Sequence, residues 1–116
     1  MKHDLRKIVW DAKEACWSIQ MFTAGLTLEI YQTSHLIRSA VERQFEILGE
    51  ALNRIDDVAP SFRDHFPEMG DAIGMRNRLA HGYDHVDDKV VWLAVKESVT
   101  PLHDKLTAWL NAQQGI

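Results

Sequence analysis

The sequence predicts an all-α fold, an up-and-down bundle of about four to five helices. Three observations carry this. Apolar residues recur at three- and four-residue steps through most of the chain, no stretch holds the two-residue alternation of a strand, and only three prolines and six glycines interrupt 116 residues. A chain of this length, 46% hydrophobic, carries enough apolar surface for one core and too little for two, so residues 1–116 read as a single domain.

Leu5, Ile8, Val9, Ala12, Cys16, Ile19 and Phe22 form one buried stripe and place a first helix at about residues 4–23, with Asp4 near its start. Gly25 breaks that pattern, and Thr27 and Glu29 can open a short turn through Tyr31. From Ser34 the run SHLIRSAVERQFEILGEALNRI has no proline, and Val41, Phe45, Leu48, Leu52 and Ile55 mark a second long helix. Pro60 and Pro67 bracket SFRDHF, where Ser61 and Asp64 resemble a capping box on a short helix. Asp71 is a candidate N-cap for the helix carrying IGMRNRLAH, and Gly82 sits where a helix often ends on a left-handed residue. Asp87 and Asp88 can cap a last helix that runs to Trp109, with Pro101 forcing a kink or a break after Val99 and Thr100. No internal repeat or low-complexity linker is present.

The formal charge of −4 supplies no global attraction to phosphate, so any nucleic-acid contact depends on a local basic cluster. Cys16 is the sole cysteine, cannot form an internal disulfide, and reads as a small buried hydrophobe; a reducing cytoplasm fits it. No apolar run approaches the roughly 20 residues of a membrane span, which argues against membrane insertion and secretion.

The stretch RNRLAHGY, Arg76 to Tyr83, concentrates an arginine, a histidine and a tyrosine at a helix end. On an ideal helix Arg76 and His81 are about 140° apart around the axis, so either the helix distorts at Gly82 or a second chain completes a site. Asn77 and His81 are four residues apart and share a face, which would let the amide orient the imidazole. An imidazole, with an ordinary pKa near ~6.5, moves protons at neutral pH, and a guanidinium forks onto phosphate oxygens. The pair suits cleavage of a phosphodiester by the neighbouring ribose hydroxyl, a reaction confined to RNA and needing no metal or other cofactor. The same residues also suit a plainer role, as cations at the negative end of a helix dipole.

GMRNRLAHGY, read with AVERQFEILGEAL upstream and VVWLAVKESVTPLHDKL downstream, resembles the HepT-like branch of the HEPN superfamily over about residues 3–112. The family pattern is Arg, four residues, His, one residue, Tyr, met here by Arg76, His81 and Tyr83. The resemblance implies an all-helical HEPN-like homodimer in which two motif copies face each other, acting as the metal-independent endoribonuclease toxin of a type II/VII-like toxin–antitoxin system. It implies a partner, a minimal nucleotidyltransferase (MntA-like) antitoxin, which in some members transfers AMP to the tyrosine carried over here as Tyr83. An adenylylated Tyr83 would set a phosphate two residues from His81, where it competes with RNA for Arg76. Gln44 departs from the asparagine usual in relatives after the arginine matched by Arg43.

Arg43 and Glu50, seven apart on the second helix, share a face and could brace Arg76 or His81; otherwise they are solvated charges. Arg38, Arg43, Arg76 and Arg78, doubled in a dimer, could form a basic cleft. His81 and His85 have the spacing of a helical metal pair, but Gly82 intervenes, no third ligand is evident, and no metal site is expected. Trp10 and Trp17 suggest one stripe for a core or dimer contact, Trp92 and Trp109 read as packing residues, and Met21 and Phe22 extend an apolar patch where a partner could dock. A second reading makes the same dimer a catalytically weak nucleotide-binding or regulatory subunit of its transferase. A third makes it a helical scaffold.

Overall fold

Asp4 opens the first helix by accepting the backbone N–H of Arg6 at 2.9 Å, one of the donors that a helix start leaves without a partner. The computed structural model describes residues 4–81 and 86–114. Helix α1, Leu5–Thr23, turns Ile8, Val9, Ala12, Cys16 and Ile19 inward. It ends before Gly25, whose φ of 74° lies in the left-handed region that side chains with a Cβ avoid. Thr27 Oγ1 accepts from Ile30 N–H at 3.2 Å to start α2, Leu28–Thr33, and Ser34 Oγ accepts from Ile37 N–H at 3.1 Å to start α3, His35–Val58.

Val41, Phe45, Leu48, Leu52 and Ile55 of α3 are all fully buried, as their spacing predicts. Helix α3 packs against α1 on one side and against the motif-bearing helix on the other. Burying each such side chain contributes about 1.5–3 kcal/mol, and Phe45→Ala would cost on the order of 3–5 kcal/mol. Phe22 departs from its predicted place on the α1 stripe and is 40% exposed. Trp10 and Trp17 lie on the outward side of α1 with Met21, whereas Trp92 and Trp109 pack against the core.

Two predicted helix starts are corrected. Pro60–His65 is a 3₁₀ turn whose N-cap position is Ala59, with no side-chain cap, so Ser61 and Asp64 do not form a capping box. Proline at the first position already removes one donor that a cap would satisfy. The turn is fixed instead by Phe62, which stacks on Phe66 at 4.3 Å and meets the edge of Trp109 at 5.3 Å. The following helix, α4, spans Glu68–His81, so Asp71 lies in its first turn and is not its cap. Glu68 and Asp71 both place negative charge at the positive end of the dipole. The C-cap predicted at Gly82 lies outside the described residues.

Asp87 accepts from Lys89 N–H at 2.8 Å and opens α5, Asp88–Ala94. A π-helical segment, Val95–Val99, leads into α6, Thr100–Gln114. The break predicted at Pro101 is thus a wide turn placed ahead of the proline, and Thr100 keeps helical angles of −63° and −51°. Proline has no N–H for the ladder, so one bond must be lost there, and a π turn absorbs that loss without ending the rod. Helix α6 packs on α1, where Gln20 Nε2 donates to Thr100 Oγ1 at 3.3 Å, so α1, α3, α4 and the α5–α6 rod form an all-α bundle. The described residues form six α-helices against the four or five predicted, because α2 stands by itself and the π segment divides the last rod.

Candidate active site

Helix α4 is held at three levels along its length. Glu68 pairs with Lys105 of α6 at 2.9 Å, Asp71 accepts from Ser98 Oγ of the π segment at 3.3 Å, and Arg76 lies against Gly49 of α3. The third contact is the tightest. A Cβ built on Gly49 would overlap Arg76 Cβ and come 2.5 Å from Cγ, so only glycine lets the arginine stem cross α3 at that height. Arg76 is half-buried, and its Nη1 donates to Asn77 Oδ1 at 3.2 Å. The predicted role of Asn77 as a holder of the imidazole therefore has a competitor: its amide oxygen is engaged by the guanidinium one residue away.

His81 is exposed and is the last residue of α4, so the helix is regular across the whole interval from Arg76. A regular helix sets the two side chains about 140° apart, and within one chain Arg76 faces α3 while His81 does not. Tyr83 and His85 lie outside the described residues. Arg43 Nη1 donates to Glu46 Oε1 on its own helix at 3.4 Å; Arg43 is exposed and Glu46 is half-buried. Glu50 and Gln44 line a groove between α1 and α3, together with Asp11, Glu14 and Arg54. Arg38 is drawn inward: its guanidinium donates to the Gln32 carbonyl and stands 3.9 Å from Asp88, so it ties the start of α5 to the start of α3. That use removes Arg38 from the proposed basic cleft, since its hydrogen-bonding edge is already committed inside the fold.

Gly49 is the position against Arg76 that spacing alone did not single out, although a glycine inside a long helix that otherwise favours helix formers was a readable sign of close approach. Arg78 is exposed on the other flank of α4, along a second groove shared with α5. Among the described residues no group of three or more His, Cys, Asp or Glu could hold a metal ion, and no helix is long and apolar enough to cross a membrane.

A helical bundle that seats the stem of one arginine over a glycine and exposes an imidazole at the end of the same helix carries the parts for proton transfer beside a phosphate. Residues 12–108 match the family described as Ribonuclease HepT-like, and the chain belongs to that family. It is 33% identical over 107 residues to a Thermococcus cleftensis protein named "Probable ribonuclease HepT", covering 90% of this chain and 94% of that one. Two Methanocaldococcus jannaschii proteins are also similar. "Putative RNase MJ1380" is 33% identical over 100 residues, covering 84% of this chain and 89% of its own length, and "Putative RNase MJ1216" is 31% identical over 114 residues, covering 98% and 93%. No solved structure gives a significant match to the chain.

Proposed function

We propose that the chain is a metal-independent endoribonuclease that works as a homodimer, with Arg76 and His81 as its catalytic residues. The observation that carries this reading is the separation of the pair. Arg76 is fixed on the α3 side of a helix that stays regular through His81, which supports a site completed by a second copy of α4. In the proposed reaction a ribose 2′-oxygen attacks the adjacent phosphorus as one His81 takes its proton. The bond to the 5′-oxygen breaks as that oxygen takes a proton from water, leaving a 2′,3′-cyclic phosphate and a 5′-hydroxyl, so each site uses one imidazole. Arg76 neutralises the charge that builds on the non-bridging oxygens. Asn77 holds the guanidinium, and Arg43 and Glu50 brace the paired motifs from α3.

The toxin role, the minimal nucleotidyltransferase antitoxin and the transfer of AMP to Tyr83 belong to the same proposal and rest on the matched Arg, His and Tyr pattern. In that transfer the phenol oxygen attacks the α-phosphorus of ATP and pyrophosphate leaves. A specific observation favours the alternative of a catalytically weak regulatory subunit: the net charge is −4, and Arg38 is spent inside the fold. Induced expression of wild type, Arg76→Ala and His81→Ala, with total RNA examined from the same cells, separates the two. Growth arrest with new RNA ends in wild type alone supports the nuclease. A soluble wild-type protein that neither arrests growth nor cuts RNA leaves the regulatory reading.

A further inference from the structure

Helix-interior glycines are poor helix formers, and each needs a reason. Gly49 has one, because Arg76 fills the space above it. Gly74, and Gly70 in the first turn of α4, have none among the described residues: a Cβ on either would meet no described atom within 4 Å. Both line a groove of about 440 Å³ between α4 and α5, open to solvent. Its far wall carries Leu93, which is 53% exposed, and Glu97, and its near wall carries Arg78. Arg78 makes no ion pair among the described residues.

The helical repeat adds the decisive relation. Gly70, Gly74, Arg78 and His81 follow one another at steps of four, four and three residues, so they lie along a single face of α4, and Arg78 is a next-turn neighbour of His81. The two glycines keep that face bare over the turns that lead to the imidazole. Space, a cation without an ion-pair partner among the described residues and a proton-transfer group are therefore arranged in line.

We propose that the α4–α5 groove is a nucleoside subsite for single-stranded RNA, in which a base lies over Gly74 against Leu93 and Arg78 holds the phosphate that leads toward His81. This rests on the ribonuclease reading and adds to it where the strand runs. The charges fit a base inside and a phosphate at the rim. Glu97 would repel a phosphate within the groove but accepts hydrogen bonds from base amino groups, and Asp71, already bonded to Ser98, adds the same bias. An apolar wall suits the face of a base, and a guanidinium suits phosphate oxygens.

The open space makes the test practical, because a Cβ at Gly74 would meet nothing within 4 Å among the described residues. Binding is read by anisotropy of a fluorescent single-stranded RNA of mixed sequence, using His81→Ala protein so that nothing is cut. In that background Gly74→Leu should weaken binding at least tenfold, Arg78→Gln should weaken it and flatten its salt dependence, and Gly74→Ala should raise Tm by several degrees while binding RNA less well. Higher stability with lower affinity is a combination that a merely structural glycine would not give. Unchanged binding by Gly74→Leu, or no binding of RNA by the parent, overturns the subsite. Loss of the dimer in Gly74→Leu, read by sedimentation, would assign the groove to a second copy and also overturns it. RNA cleavage by otherwise wild-type Gly74→Leu with unchanged KM rejects the subsite while leaving the ribonuclease reading intact. RNA binding that responds as expected, in a chain whose wild type cuts no RNA, rejects only the ribonuclease reading.

Discussion

Arg76 occupies the volume that any side chain at position 49 would need, so α3 and α4 touch there through a glycine and an arginine stem. Gly49→Ala therefore has two opposed effects. Helix propensity favours alanine by about 1 kcal/mol, while overpacking costs on the order of 1–3 kcal/mol and pushes Arg76 off α3. The expected outcome is a net loss of up to about 2 kcal/mol in urea unfolding, with RNA cleavage falling more than tenfold although the helical circular dichroism is kept. A stabilised and fully active Gly49→Ala would show that the arginine has no fixed seat.

Tyr31 is fully buried, its ring lies 5.4 Å from that of Trp92, and its hydroxyl has no hydrogen-bond partner among the described residues. Burial, with Glu42 and Asp88 nearby, pushes its ionisation well above that of an ordinary phenol. An orphaned hydroxyl costs stability that phenylalanine would not forfeit, so Tyr31→Phe should stabilise the protein by about 1 kcal/mol. A destabilised Tyr31→Phe in thermal unfolding would show that the hydroxyl is satisfied after all.

The sequence made some of this legible and concealed the rest for physical reasons. Asp4, Thr27, Ser34 and Asp87 announced their helices because a cap acts on N–H groups two or three residues away, a purely local relation. The buried face of α3 was equally plain, since a 3.6-residue period is written in the order of residues. The start of α4 misled because Asp71 has the chemistry of a cap, but its carboxylate answers Ser98, twenty-seven residues on. The π segment has no composition of its own, and only Pro101 hinted at it. For the site, the residues of the Arg–His pattern were visible, but the seat of Arg76 was not, because that depends on what α3 presents across the helix pair.

Burial pushes the pKa of the Cys16 thiol up to about 12, from the ordinary thiol value of 9.0. Between those values the folded chain keeps a proton that the unfolded chain has released. The thiol's contribution to stability is therefore complete below pH 9 and is lost as pH rises toward 12. By about pH 10.5 the loss from this group is on the order of 2 kcal/mol. Urea midpoints at pH 8 and about pH 10.5 should separate more for wild type than for Cys16→Ala, with Tyr31 accounting for the slope that remains. Equal slopes would mean that the thiol ionises as readily in the fold as outside it.

The separation of Arg76 and His81 on α4 can be tested without locating the dimer interface. Arg76→Ala and His81→Ala should each be inactive alone. If a working site takes Arg76 from one chain and His81 from the other, a mixed dimer of the two variants has one site lacking both groups and one site with both intact. Random re-pairing makes about half of the dimers mixed, so refolding the inactive variants together should restore roughly a quarter of wild-type RNA cleavage. If both groups act from one chain, every site in every dimer lacks one of them and no activity returns. Tagging the two variants differently and purifying the mixed dimer doubles the expected signal to roughly half of wild type, which guards against incomplete exchange. Activity confined to that doubly tagged fraction would establish the shared site. A mixed dimer as inactive as its parents would require the imidazole and the guanidinium to meet within one chain, against the regular course of α4 between them.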